Sequence, residues 1–163
     1  MNGTVSITEH GYLMRFERRM PHPVEKVWAA LTEPERLADW LADATMELVP
    51  GGKLQLRFGN TGSVIDGQVV AVQPPTLLEF TWNSEGAENT LVHWELHPDG
   101  AGCRLILTHS FPDRAQLPSM LAGWHTHLEG LPQAVNGERV QWPWDRWEEL
   151  HQQYRHQVCK MRA

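Results

Sequence analysis

The stretch FPDRAQLPSMLAGWHTHLEGLPQAVNG, residues 111–137, decides the fold. Behind Asp113 and Pro118, apolar residues recur at Leu117, Leu121, Trp124, Leu128 and Leu131, spacings of three and four that put them on one side of a helix. That side must be buried against something flat and apolar. Ser119, His125, Glu129 and Gln133 fall on the other side and are expected to face solvent. Pro132 lacks the amide that would pair with the Leu128 carbonyl, so a kink or an early end is expected there, and Gly137 is placed to cap the helix.

The flat surface lies upstream. Tyr12, Met14, Phe16 and Arg18 alternate with Leu13, Arg15 and Glu17 in a first strand that ends near Met20, where Pro21 and Pro23 stop it. Further strands are predicted over 46–49, 54–58, 64–72, 77–82, 90–96 and 104–110. Their connections are turn sequences: Pro50-Gly51-Gly52, Gly59-Asn60-Thr61-Gly62, Pro74-Pro75, Ser84-Glu85-Gly86 and Pro98-Asp99-Gly100. No helix-length segment separates these strands, so neighbours must pair antiparallel. Leu78, Phe80 and Trp82, then Val92, Trp94 and Leu96, then Leu105, Leu107 and His109 share one face, the face the long helix covers.

Two short helices interrupt the sheet after its first strand. Val24, Val27, Trp28 and Leu31 follow helical spacing behind Pro23. Thr32 with Glu35 matches a capping box that starts a second helix, running through Leu37 to Trp40. After Pro143, an amphipathic pattern at Trp144, Trp147, Leu150, Tyr154, Val158 and Met161 predicts a final helix, so that 138–163 extends a single domain over 1–163. The fold class is therefore α+β: a curved antiparallel sheet wrapped around a long C-terminal helix, a layered pair that can enclose a cavity.

Composition narrows the partners. The net charge is −6, and Arg15, Arg18 and Arg19 are too few to make the clustered positive surface that phosphate backbones need, so no nucleic acid is expected. No charged, apolar leader and no apolar run of bilayer length is present, so no membrane is expected and the protein is expected in the cytoplasm. Cys103 and Cys159 lie far apart and read as free thiols.

A catalytic or metal-binding constellation does not emerge from the spacing. His125 and His127 are two apart on a helix and point to different sides, unlike the four-residue spacing of a zinc helix. His93 and His97 share a strand face but stand about 13 Å apart, too far to hold one ion, and are expected to face solvent. Asp39 with Asp43 and Glu148 with Glu149 read as solvated helix faces. Gly100 and Gly102 belong to a hairpin with no helix behind it to receive a phosphate. No metal and no cofactor is expected. His109 is the residue to weigh: in line with Leu105 and Leu107, its ring points into the space between helix and sheet. It is there either a core histidine satisfied by protein or a donor to a ligand oxygen.

Thr32-Glu33-Pro34-Glu35-Arg36-Leu37 followed by Trp40, then Pro74-Pro75 before Leu78-Glu79-Phe80-Thr81-Trp82, Thr108-His109-Ser110, and Gly123-Trp124 with His127-Leu128 and Leu131 occur in an order that resembles the activator of heat-shock-protein-90 ATPase homologue-like family. That family lies within the START-like (SRPBCC) superfamily. The tail from Trp144 to Tyr154 is similar to the extension of bacterial members. The resemblance implies a helix-grip fold with an apolar cavity, which different members use for lipid-like ligands, polyketide cyclisation or chaperone contact.

Three functions follow as expectations. The first is binding of a small apolar molecule in a cavity bordered by Trp40, Phe58, Trp82, Trp94, His109, Trp124 and Leu128. The second is a cyclase- or dehydratase-like enzyme that uses polar cavity residues such as His109. The third is a co-chaperone-like module with a protein partner, marked by an exposed apolar patch around Trp142 and Trp144 on the C-terminal helix.

Overall fold

The computed structural model describes residues 2–83 and 90–161. Strands β1 (Thr4–Thr8) and β2 (Gly11–Met20) lead into helices α1 (Val24–Thr32) and α2 (Pro34–Trp40). Six more strands follow: β3 (Asp43–Met46), β4 (Lys53–Arg57), β5 (Val64–Gln73), β6 (Leu77–Trp82), β7 (Thr90–Asp99) and β8 (Gly102–Phe111). A 3-10 turn (Arg114–Gln116) opens α3 (Leu117–Val135), and α4 (Trp144–Cys159) closes the chain. The strands form one antiparallel sheet in the order β1-β2-β8-β7-β6-β5-β4-β3.

The register explains the core. Met14, His109, Val92 and Phe80 are successive partners across β2, β8, β7 and β6, and Phe16, Leu107, Trp94 and Leu78 form the next row. All eight are buried on one face, as period-two alternation demands. Leu117, Leu121, Trp124, Leu128 and Leu131 of α3 are buried in the same apolar cluster, so the stripe read from the sequence is the one the sheet grips.

Several expectations need correction. The hairpin partner β1 is not among the strands expected from the sequence; its Thr-Val-Ser-Ile-Thr run is a short, largely exposed edge strand in which Val5 packs against the core. The short helices therefore follow the second strand. Strand β3 begins three residues before the predicted 46–49 segment and ends where that segment starts, because residues 47–52 turn back on themselves through Gly52 N–H donating to the Val49 carbonyl (2.8 Å). The capping box at Thr32 does not form. Pro34 forces the residue before it out of the helical region, so the extended residue is Glu33, while Thr32 stays in the last turn of α1 and donates its hydroxyl to the Trp28 carbonyl (2.8 Å).

Helix α3 runs past Pro132 to Val135 instead of stopping at the proline. It then ends in a Schellman motif: Gly137 has φ +85°, its amide donates to the Ala134 carbonyl (3.0 Å), and Glu138 N–H donates to Gln133 (3.0 Å). The side of α3 expected to face solvent is partly covered by α4. Buried Leu150, Tyr154 and Val158 line the inner face of α4, and His125 is buried with its Nδ1 2.6 Å from the Tyr154 hydroxyl. That hydroxyl also accepts from the Gly3 amide (2.9 Å), tying α4 to the start of the chain. The Ser84-Glu85-Gly86 turn lies outside the described residues. No helix of the described residues is long and apolar enough to cross a membrane.

Candidate functional site: an aromatic cleft beside the long helix

Between α3 and the far half of the sheet opens a cleft of about 420 Å³. Its floor is aromatic. Phe58 follows β4, Trp82 ends β6 and Trp124 projects from α3, with ring centroids 5.7 Å apart for Phe58–Trp82 and 5.5 Å for Trp82–Trp124. Its outer wall comes from the C-terminal segment. Residues 138–143 run back over the end of α3, where the Val140 amide donates to the Asp39 carbonyl (2.7 Å) and the Val140 side chain seats on Gly130. A Cβ at Gly130 would come within 2.8 Å of that valine, so glycine is what allows the approach.

This pinned strap carries Trp142 onto His127, with 4.5 Å between ring centroids. Trp144 and Trp147 follow edge-to-face, at 5.8 Å for Trp142–Trp144 and 5.9 Å for Trp144–Trp147. The patch expected on the C-terminal helix is thus split. Trp142 lies ahead of α4 and is half-buried, while Trp144 opens α4 and is exposed at the mouth of the cleft.

The face of α3 that borders the cleft is Ser119, Met120, Gly123, Trp124 and His127. It adjoins the core stripe and shares only Trp124 with it. Gly123 adds no side chain there, and a Cβ built on it meets no atom within 4 Å, so its absence leaves open volume.

Of the seven residues expected to border the cavity, Phe58, Trp82 and Trp124 line this cleft. The other four stand behind it. Trp40 donates its indole N–H to the Ala30 carbonyl (2.8 Å) and lines a neighbouring recess of about 160 Å³. Trp94 packs edge-to-face between Trp40 (6.2 Å) and Trp124 (5.5 Å). Leu128 is buried in the apolar cluster.

His109 is fully buried and both ring nitrogens are engaged. Trp124 Nε1–H donates to His109 Nδ1 (2.9 Å), so Nδ1 is unprotonated. Its Nε2 lies 2.9 Å from Thr90 Oγ1, which donates in turn to the Trp82 carbonyl (3.1 Å). The neutral tautomer with Nε2–H satisfies every link, and burial pushes the ring down to about 3. His109 is a core histidine that orients Trp124 and Thr90, with neither nitrogen left for a ligand.

His127 is the polar residue that sequence reasoning missed as a site. Its Nδ1 lies 2.9 Å from the Trp40 carbonyl, which only accepts, so Nδ1 carries the proton. Burial lowers its pKa to about 4, against the upward pull of that carbonyl. At neutral pH, Nε2 is therefore a bare acceptor, and it has no protein partner among the described residues. The signal available in the sequence was its four-residue spacing from Gly123 and Ser119. His125, two residues earlier, faces α4 instead, as helical geometry requires.

Residues 21–136 match the family described as Activator of Hsp90 ATPase homolog 1-like protein. The chain belongs to this family. Its helix-grip architecture recurs in CalU16 from Micromonospora echinospora, 24% identical over 97% of this chain and 96% of that one, with a TM-score of 0.78. A Bordetella parapertussis protein solved by NMR is 29% identical over 95% and 94%, with a TM-score of 0.70. DynU16, a protein of the dynemicin biosynthetic locus, is 27% identical over 78% of this chain and 48% of its own length, with a TM-score of 0.71. Among curated proteins none matches.

Proposed function

We propose that this member of the family binds a small, predominantly apolar molecule in the cleft between α3 and the sheet. The observation that carries the reading is the lining itself. Five tryptophans and Phe58 surround about 420 Å³ that the core has not filled, and among the described residues no Asp, Glu, Lys or Arg side chain borders it. Rings of this size ordinarily bury themselves against one another. Here a glycine on the helix and a strap pinned at Val140 leave open volume between the rings of the floor and those of the wall. The volume falls in the range of small-molecule sites, where a mostly apolar wall supplies affinity and a few polar atoms set orientation. The relation to DynU16 makes a product or intermediate of natural-product assembly a reasonable class to screen.

The test is a titration with N-phenyl-1-naphthylamine, an uncharged probe that brightens in apolar surroundings, alongside native mass spectrometry of the protein purified from its own host. Saturable micromolar binding with quenching of tryptophan emission is expected. Absence of binding, or binding undiminished when Trp82 and Trp142 are replaced by alanine in a variant that stays folded, would overturn the reading. In the second case Trp144 would become a candidate contact for a protein partner.

A further inference from the structure

The cleft and the neighbouring recess meet at a neck, and four residues border both: Leu41, Asn60, His127 and Trp142. Leu41 is apolar. The other three each carry a polar atom without a protein partner among the described residues. Asn60 Oδ1 and Trp142 Nε1 are buried and unpaired, and His127 Nε2 is left over once Nδ1 serves the Trp40 carbonyl. Buried polar atoms nearly always find partners, so two buried unpaired atoms and one unpaired imidazole nitrogen, on residues that border one neck, describe the complement of something that enters there.

Their chemistry is specific. Trp142 Nε1 can only donate, and His127 Nε2 in its neutral tautomer can only accept. A hydroxyl satisfies both, accepting from the indole and donating to the imidazole. A carbonyl or ether oxygen satisfies only the indole. A carboxylate would point lone pairs at the imidazole lone pair and bring a charge into a cleft whose described lining holds no cation, since Arg139 lines only the recess beyond the neck. Asn60 Oδ1 offers a second acceptor beside the first.

Resting on the proposed function, we infer that the ligand is an uncharged aromatic compound bearing a hydroxyl group, its ring among the tryptophans and its hydroxyl at the neck between His127 and Trp142. The walls stack the ring and the neck reads the hydroxyl. Neutral phenols are then preferred over their ethers, over aromatic acids and over aromatic ammonium ions. Those cations are the main competitors, since tryptophan faces also attract them.

The experiment is a calorimetric series at pH 7 on the full chain with four naphthalenes: 2-naphthol, 2-methoxynaphthalene, 2-naphthoate and 2-naphthyltrimethylammonium. We expect 2-naphthol to bind at least tenfold more tightly than each of the others. In a His127→Phe variant the preference for the alcohol over the ether should vanish while the ether still binds. Should that variant not fold, the wild-type ranking decides alone. If the ether binds as well as the alcohol, or the acid or the ammonium binds better, the inference fails and the cleft remains a ligand site. If none of the four binds, the cleft reading falls with it.

Discussion

Gly123→Leu separates a ligand cleft from a packing defect. A Cβ on Gly123 meets no atom within 4 Å, and the position borders the cleft on α3 one turn before His127. The first carbon of the added side chain therefore meets open space at the border of the 420 Å³ cleft. Leucine is the better helix former by about 1 kcal/mol, because glycine loses more backbone freedom on folding. In a domain of 163 residues that gain corresponds to a Tm higher by about 2–4 °C. The same side chain occupies ligand space, so affinity for N-phenyl-1-naphthylamine should fall at least tenfold, about 1.4 kcal/mol. Thermal melts and a fluorescence titration on one preparation measure both. Affinity and stability both unchanged would mean that the probe sits elsewhere. Destabilisation of about 1–3 kcal/mol would mean that the site is already close-packed and the leucine overfills it.

Trp124→Ala should cost about 3–5 kcal/mol in urea unfolding, since it removes a buried ring and leaves His109 Nδ1 without its donor. Tyr154→Phe removes the acceptor of the Gly3 amide and the partner of His125, at a cost of about 1–3 kcal/mol, and should speed hydrogen exchange at Gly3. Stability should also fall with acid. The pKa values of His109 and His127 are lowered from 6.5 to about 3 and about 4 by burial, so between those values and 6.5 the unfolded chain binds more protons. The contribution is fully present above pH 6.5 and is lost as pH falls toward 4 and below. From pH 7 to pH 5 each ring should cost about 2 kcal/mol, read by urea midpoints. A flat profile across that window would show that these rings take up protons in the fold as readily as in the unfolded chain.

The parts of this fold that were legible are those where one face is apolar and the other is not. Leu78, Phe80 and Trp82 alternate cleanly and the strand matches residue for residue, while the Leu117-to-Leu131 stripe found the helix and the face it buries. The misses share a physical cause. Strand β1 is a five-residue edge with Val5 packed against the core and Ile7 exposed, too short a pattern to stand out, and His125 looks solvated because nothing local announces that α4 will cover it. A helix face that borders an empty space carries no apolar periodicity either. Ser119, Gly123 and His127 are small or polar and lie off the Leu117-to-Leu131 stripe. His109, the most conspicuous polar residue on an apolar strand face, proved to be a satisfied part of the core, whereas His127 borders the cleft. Which of the two it would be depended on long-range partners, Trp40 and Thr90, that spacing does not reveal.

The eight tryptophans offer the most direct measurement of the central claim, because each reports through its own indole N–H resonance. Titrating N-phenyl-1-naphthylamine into ¹⁵N-labelled protein should move the resonances of Trp82, Trp124, Trp142, Trp144 and Trp147, which border the cleft, and leave that of Trp28 in place. Shifts largest at Trp28, or no shift at the cleft tryptophans once the probe is bound, would contradict the account.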